Sequence, residues 1–178
     1  MVSVSPIKLF EEIKPATLYL IIFHADKKPP HIGLVWNLRY FSLTVKGKEV
    51  DIPFEEKLQL IEKRKIPCLI LELRAPKEHA ELQNQLVNIF EASLPLSDKI
   101  SCLAPISNFF ETVFHLKPAL PLLHGLLQVL IEKELIKENF ALHLTLPQNR
   151  IFDLPDYDAG NVSERINRLK LLEKKRGT

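Results

Sequence analysis

The chain has 178 residues, of which 46% are hydrophobic and 26% are charged, and its formal net charge is only +2. This length and composition are typical of one folded domain and exclude collagen-like, disordered and disulfide-scaffold proteins. The balanced charge argues against a nucleic-acid partner, which requires a strongly basic face. With 5 glycines beside 13 prolines, the chain has little material for a glycine-rich phosphate-binding loop.

The N-terminal residues lack the features of a secretory signal. Glu11 and Glu12 interrupt the segment in which a signal peptide would carry its apolar stretch. The apolar run at 18–23 is long enough for a buried strand and far too short to cross a membrane. We therefore expect a cytoplasmic protein with free thiols and no integral membrane segment.

The front half of the chain is rich in predicted strands, because β-branched and aromatic residues dominate its short apolar runs. Pro53 suits the first position of a helix, where its missing N–H costs nothing. The elements predicted here are a helix over 6–13, strands over 17–24, 31–36, 40–45 and 49–52, and a helix from Pro53 to about Arg64.

The second half of the chain is predicted to be mostly helical. The predicted elements are a strand over 67–74, helices over 76–92, 101–114 and 118–137, a strand over 141–146 and a helix over 163–175. Antiparallel strands beside segregated helices predict an α+β fold. We expect one domain over 1–178, with a core at about 8–146 and a polar C-terminal extension at 147–178.

Cys102 is the first candidate for chemistry because it is predicted to start a helix. Ser101 is a suitable N-cap for that helix. The positive end of the helix dipole stabilises a thiolate, whereas most free cysteines are small buried hydrophobic residues. Both interpretations stay open for Cys102 at this point. Cys68 lies inside an alternating strand and is predicted to be a core residue.

His31 is a candidate for a basic partner, because a histidine at the start of a strand can project from the sheet toward a cleft. Gly33 follows within the same strand, where a glycine is unfavourable unless another backbone approaches closely. His24, at the end of the preceding strand, is a rival for the same role.

The other four histidines carry weaker signals. We predict that His79 is solvated, His115 closes a helix, His124 is a satisfied core residue and His143 lies in the last strand. Neither the histidine and cysteine spacing nor the aspartates at 153–158 match a metal-binding motif. We therefore predict no metal and no cofactor.

The order of these motifs resembles a known family. A turn at Pro15 to Thr17 leads into a strand, the next strand begins with His31–Leu34, and Ser101 and Cys102 come much later at the start of a helix. This order is similar to that of the circularly permuted NlpC/P60 papain-like hydrolases, which include the lecithin–retinol acyltransferase group and the YiiX-like proteins. The resemblance covers about residues 8–115, and it implies a papain-like antiparallel sheet with helices packed against it.

The resemblance also implies a catalytic mechanism. Cys102 would be the nucleophile and His31 its general base, and a polar residue on the strand after His31 would orient the imidazole. Ser42 is the nearest match for this third position, and Thr44 is an alternative. The implied substrate is a small-molecule, peptide-like or lipid-like amide or ester that reacts through a thioester.

Three functions therefore stay open. The first is a cysteine-dependent hydrolase or acyltransferase. The second is a binding or scaffold protein with the same papain-like fold and no catalysis. The third, which does not depend on the resemblance, is an α+β domain that binds a partner through the apolar segment Pro118 to Gly125.

Overall fold

The computed structural model describes residues 3–4, 7–76, 80–97, 100–118 and 122–176. Within these ranges the fold is α+β, with a seven-stranded mixed sheet, a separate two-stranded sheet and five α-helices. The strands are β1 (Ser3–Val4), β2 (Ile7–Leu9), β3 (Leu18–Phe23), β4 (His31–Trp36), β5 (Arg39–Thr44), β6 (Gly47–Pro53), β7 (Cys68–Leu73), β8 (Ile136–Leu142) and β9 (Phe152–Asp153). The helices are α1 (Phe54–Arg64), α2 (Leu82–Ala92), α3 (Leu103–Phe114), α4 (Leu123–Glu132) and α5 (Ala159–Arg176).

The large sheet has the strand order β2-β8-β7-β3-β4-β5-β6. The pairing of β2 with β8 is parallel, and every other pairing in this sheet is antiparallel. β1 and β9 pair antiparallel in the small sheet. The predicted strands at 17–24, 31–36, 40–45, 49–52 and 67–74 are thus confirmed as the consecutive members of this sheet, apart from small shifts at their ends.

β3 is buried on both faces because two separate cores cover the sheet. Alternate β3 residues point to opposite faces. Leu20 and its neighbours on one face pack with the buried side chains of α2, α3 and α4. Ile21 on the other face packs with Phe54 and Ile61 of α1. The sheet is therefore the middle layer of the molecule.

The predicted helix over 6–13 is wrong. Ile7–Leu9 form β2, and Ile7 pairs with Asn139 of β8. Residues 10–14 have no regular secondary structure. An isolated helix this short is marginally stable, whereas the sheet edge satisfies the backbone hydrogen bonds and buries Ile7 to 1% exposure.

The predicted boundaries around the fourth helix and the last strand are also wrong. α4 ends at Glu132, and the chain turns through Glu134, which has a φ of 52°. β8 then runs from Ile136 to Leu142, whereas the sequence predicts a helix up to 137 and a strand only from 141. The sequence did not indicate this strand because residues 137–139 are all polar. A half-buried strand usually shows a strict alternation of apolar and polar residues.

The other predicted helices have confirmed positions and shifted ends. α2 begins at Leu82 rather than at Pro76, and the residues at 77–79 lie outside the described ranges. α5 begins four residues before the predicted start at 163. Leu154 and Ile166 of the predicted polar extension are buried in the core. None of the described helices is long and apolar enough to span a bilayer.

At Gly33 the strand β4 lies close to the side chain of Tyr40. The sequence predicts the close approach of a second backbone there instead. A Cβ placed at Gly33 would lie 2.7 Å from Cζ of Tyr40 and 2.6 Å from its hydroxyl oxygen. Tyr40 is 1% exposed and packs against the rings of Phe23 and Phe54. The missing side chain at Gly33 therefore makes the space that the Tyr40 ring occupies.

We predict that Gly33→Ala lowers the free energy of unfolding by about 1–3 kcal/mol, the usual cost of overpacking a core. Urea denaturation measures the change. Gly160→Ala is a matched control at an exposed position of α5, and we expect it to change stability by less than about 1 kcal/mol. Equal stability of Gly33→Ala and the native protein would contradict this account.

Candidate active site

A cavity of about 350 Å³ brings together residues from distant parts of the chain. This volume lies within the range of about 300–1,000 Å³ that is typical of small-molecule sites. The residues at 23–31, the C-terminal end of α1, the start of α3 and the inner face of α5 contribute to its wall. His31 and Cys102 both line this cavity.

His31 is positioned by the pairing of β4 with β3 and by one hydrogen bond from its ring. It stands opposite Phe23 in the ladder, and the two ring centroids are 5.6 Å apart. Nε2 of His31 lies 3.0 Å from Oγ of Ser42 on β5. Ser42 is 0% exposed, so water does not compete for this contact. The structure thus brings together His31 and Ser42, the pair that the sequence analysis placed side by side.

A second contact of Ser42 determines which nitrogen of His31 carries the proton. Oγ of Ser42 also lies 3.0 Å from the carbonyl oxygen of Ile32. A carbonyl oxygen only accepts hydrogen bonds, so the single hydroxyl proton of Ser42 is donated there. Oγ then accepts from the N–H at Nε2 of His31. The neutral ring therefore has its lone pair on Nδ1, where it is available to act as a base.

His31 is neutral at physiological pH. Burial of the ring is the main cause and lowers its pKa from 6.5 to about 4, and the positive charges of Lys57 and His24 act in the same direction. The imidazole in the resting protein is therefore an uncharged acceptor rather than an imidazolium.

Cys102 stands at the start of α3, as predicted. Its backbone already has helical dihedral angles, with φ −61° and ψ −17°. The hydroxyl of Ser101 accepts a hydrogen bond from the N–H of Leu103 at 3.2 Å, which is the expected capping contact. The backbone N–H groups of Ile32 and of Cys102 itself both act to lower the thiol pKa, so both lie near the sulfur. Because Ile32 follows His31, the sulfur lies against the first residues of β4.

Of the two interpretations of Cys102, the pKa of its thiol favours the buried hydrophobic residue. Burial raises this pKa above its ordinary value, and the N–H groups of Ile32 and Cys102 offset only part of the rise. Desolvation of the thiolate therefore outweighs the favourable field at the end of the helix. The thiol of Cys102 and the imidazole of His31 are therefore both neutral in the resting protein.

Thr44 is the alternative to Ser42, and His24 is the alternative to His31. Both lie at other positions of the cavity wall. Thr44 lines the cavity, but its hydroxyl donates to the carbonyl of Gly47 at 3.0 Å and accepts from the N–H of Lys46 at 3.2 Å, within the β5–β6 turn. His24 lies in the turn after β3, with a φ of 51°, and also lines the cavity. Burial lowers the pKa of His24.

Cys68 is confirmed as a core residue. It is 0% exposed on β7, and burial raises its pKa to about 12. Both cysteines are free thiols, as expected. Cys102 is thus the thiol that has access to the cavity, and Cys68 provides an internal comparison within the same molecule.

His115 and His143 do not line the cavity. His115 closes α3 as predicted, and His79 lies outside the described residues. His143 follows the end of β8 rather than lying within the strand, and its Nε2 is 3.0 Å from Oε2 of Glu62. The structure describes no group of three or more His, Cys, Asp or Glu residues arranged to hold a metal ion.

His124 differs from the prediction of a satisfied core histidine. Its side chain is 13% exposed, and its Nε2 has no hydrogen-bond partner among the described residues. The nearest carboxylate oxygen, on Asp156, is 3.6 Å away, which is too long for a hydrogen bond. The ring packs against Tyr157 with 5.0 Å between the centroids.

Tyr157 is a residue of the site that the sequence analysis missed. It lines the cavity, and its hydroxyl oxygen accepts a hydrogen bond from the N–H of Leu123 at 3.2 Å. Burial raises its pKa to about 12, and the nearby charge of a Cys102 thiolate contributes in the same direction. The phenol therefore keeps its proton. An aromatic residue within the aspartate-rich stretch 153–158 was the signal that could have identified it.

Comparisons with models of protein families, with curated proteins and with solved structures find no match to this chain. The interpretation of the cavity therefore depends on its own geometry and on the motif order of the sequence.

The protonation state of His31 leads to a prediction that nitrogen-15 NMR can check. At pH 7 we expect the neutral ring to carry its proton on Nε2, and the ring to titrate near pH 4. Protonation of Nδ1 instead, or titration near the ordinary pKa of 6.5, would contradict the assignment.

The lowered pKa of His31 also predicts how the free energy of unfolding depends on pH. Between pH 6.5 and about 4, the unfolded chain binds a proton at His31 that the folded protein does not bind. Stability from this group is therefore lost as the pH falls through that window. Urea denaturation at several pH values measures how steeply the free energy of unfolding changes with pH in this window. His31→Gln should make that dependence weaker.

Proposed function

We propose that this protein is a cysteine-dependent hydrolase or acyltransferase with a papain-like fold, related to the circularly permuted NlpC/P60 hydrolases. The observation that carries the proposal is one arrangement at the cavity wall. The thiol of Cys102 lies near the amide of Ile32, the neighbour of His31, and Oγ of Ser42 contacts the His31 ring at 3.0 Å. A thiol, a base and an orienting hydroxyl are the parts that nucleophilic catalysis by cysteine requires.

The backbone of the turn before β3 also supports the papain-like fold. Pro15 to Thr17 stand where the family has Pro-Gly-Asp, and the family's glycine corresponds to Ala16. Ala16 has a φ of 50°, a left-handed conformation that favours glycine. The chain therefore keeps the turn geometry that the resemblance implies, even though the glycine is replaced.

The proposed acylation step starts from the neutral pair. Nδ1 of His31 takes the thiol proton as Sγ of Cys102 forms a bond to the carbonyl carbon of the amide or ester. The carbonyl oxygen takes the negative charge of the tetrahedral intermediate. When this intermediate collapses, the bond from carbon to the leaving nitrogen or oxygen breaks, and the leaving group takes the proton from His31. A thioester on Cys102 remains.

The proposed deacylation step reverses these roles. Water or an acceptor alcohol or amine gives a proton to Nδ1 of His31 and attacks the thioester carbon. The carbon–sulfur bond then breaks, and Sγ of Cys102 recovers the proton from His31. Water as the acceptor gives hydrolysis, and an alcohol or amine gives acyl transfer.

Two donors are proposed to stabilise the oxyanion. The backbone N–H of Cys102 lies next to the nucleophile, whereas the N–H groups of Leu103 and Ala104 already donate to Ser101. The hydroxyl of Tyr157 faces the same cavity. The oxygen of Tyr157 accepts from Leu123, so its own proton stays free to donate to the carbonyl oxygen. Donors that are in place before the reaction need little reorganisation, which is the main source of their effect.

The second candidate is a papain-like binding or scaffold protein without catalysis. The raised pKa of Cys102 and the lowered pKa of His31 favour it, because both shifts oppose the thiolate–imidazolium pair. The partner-binding hypothesis is less well supported. Leu123 and Leu126, which stand in and next to the segment Pro118 to Gly125, are buried in the core and cannot contact a partner.

The acylation step predicts a covalent intermediate on one cysteine. We expect 4-nitrophenyl octanoate to release a burst of nitrophenol and to leave one octanoyl group on Cys102, identified by peptide mass spectrometry. His31→Ala should slow this burst by about 10²–10⁴-fold, the usual contribution of general base catalysis.

Cys68→Ala is the matched cysteine control, and it should leave the burst intact. Acylation of Cys68, or a burst that His31→Ala does not change, would contradict the mechanism. A protein that gives no acyl intermediate and still binds the ester would support the scaffold function instead.

Tyr157→Phe tests the proposed oxyanion donor. Removing one donor from such a site typically costs about 10²–10³ in kcat, and we expect a loss of that order with little change in KM. Steady-state hydrolysis of the same ester measures both constants. A change confined to KM would show that the hydroxyl binds the substrate without stabilising the transition state.

A further inference from the structure

Helix α5 forms one wall of the cavity that contains Cys102. Val162, Ile166 and Leu169 line the cavity from this side, at the spacing of a single helix face. Ile166 also belongs to a small hydrophobic cluster against which both Val162 and Cys102 pack. The inner face of α5 thus packs against the residue that carries the thiol.

Few buried side chains hold α5 to the rest of the molecule. Ile166, which is 6% exposed, is the single buried residue within 159–175, the part of this helix whose side chains the structure describes. Leu171 and Leu172 on the outer face are 60% and 42% exposed. A helix that buries so little apolar surface gains little stability from packing, and such elements open locally at a low cost in free energy.

The two ends of α5 are attached differently. The segment before the helix is anchored, because Leu154 is 1% exposed and the hydroxyl of Tyr157 accepts a hydrogen bond from the N–H of Leu123 at 3.2 Å. Near the other end, Glu173 faces Lys46 of the β5–β6 turn, with 3.8 Å between the carboxylate oxygen and Nζ. Ion pairs as exposed as this one contribute little stability. The helix can therefore move about its anchored start.

We propose, on the basis of the proposed function, that α5 is a lid that regulates access to the thiol of Cys102. The structure is the closed state, in which Ile166 packs with Leu43 and Leu96. In the open state Ile166 leaves these two residues while the large sheet stays folded. The closed cavity of about 350 Å³ admits small reactants, and the open state admits larger ones as well.

The test compares how fast a small and a bulky reagent alkylate Cys102, measured by peptide mass spectrometry. Iodoacetamide is the small reagent, and N-(1-pyrenyl)maleimide carries its fused rings directly on the reacting group. Each rate is divided by the rate for glutathione. Because both reagents attack the thiolate, their ratio does not depend on the pKa of the thiol. We expect the bulky reagent to react with native Cys102 at least about tenfold more slowly than the small one, since it requires local opening.

Substitutions on the two faces of α5 test whether this helix is the barrier. Ile166→Ala removes the buried anchor, and it should speed the reaction of the bulky reagent with Cys102 by at least about tenfold, because truncation of a buried isoleucine is costly. Val162→Ala is a milder change on the same face and should act in the same direction. Leu171→Ala, at an exposed position of the outer face, is the matched control and should leave the rate unchanged.

Cys68 reports global unfolding in the same samples, because it is 0% exposed on a central strand of the large sheet. Opening of α5 alone leaves Cys68 protected. An equal acceleration at Cys68 and Cys102 in Ile166→Ala would overturn the lid, as would an unchanged rate at Cys102. Hydrogen exchange of the native protein gives a second readout. The amides of α5 should exchange faster than those of β3, and equal protection of both elements would contradict the proposal.

Alkylation reports the position of α5 without any catalysis, so a failure of the lid differs from a failure of the proposed function. Acylation of Cys102 by the ester, together with alkylation that Ile166→Ala does not change, would remove the lid alone. Alkylation that depends on Ile166, without any acyl intermediate, would leave a helix that covers the thiol and remove the catalytic proposal.

Discussion

The hydrogen bonding of β3 on both of its edges is the constraint on which the site depends. All six residues of Leu18–Phe23 are buried, and the strand pairs with β4 on one side and with β7 on the other. A slip of one residue would exchange the two faces of the strand and place each side chain in the wrong core. The pairing of Phe23 with both His31 and Cys68 therefore determines where β4 begins. The position of His31 at the cavity follows from the packing of the whole sheet.

The protonation state of the Cys102 thiol depends on two opposing effects. Burial raises its pKa, and the polar groups around the sulfur lower it. A helix start favours a thiolate by about 0.3–1 kcal/mol when exposed and by up to about 2 kcal/mol when partly buried. Desolvation of a buried charge costs more than this unless it is matched by hydrogen bonds. At Cys102 the two N–H groups recover only part of the cost. In the proposed acylation step a substrate would change this balance, because the carbonyl oxygen would receive the charge that leaves the sulfur.

The sequence predicted the α+β class, five strands of the large sheet and the place of Cys102 at the start of a helix, because short β-rich runs and a capping serine are local signals. It did not predict β2 or the start of β8, since those segments owe their strand conformation to a neighbouring strand rather than to their own pattern. Tyr157 was missed for a related reason. Its place at the cavity is set by its contact with Leu123, which is distant in the sequence. The thiol pKa also depends on burial, which the local sequence does not show.

The cavity wall is assembled from segments near both ends of the described chain. Its first contributions come from Phe23 and the loop after β3, and its last come from Ile166 and Leu169 of α5. During synthesis on the ribosome the large sheet, β8 included, can pair before α5 has emerged, but the cavity has no complete wall until then. A ligand that contacts both Ile61 of α1 and Ile166 of α5 can therefore bind only after synthesis has passed α5.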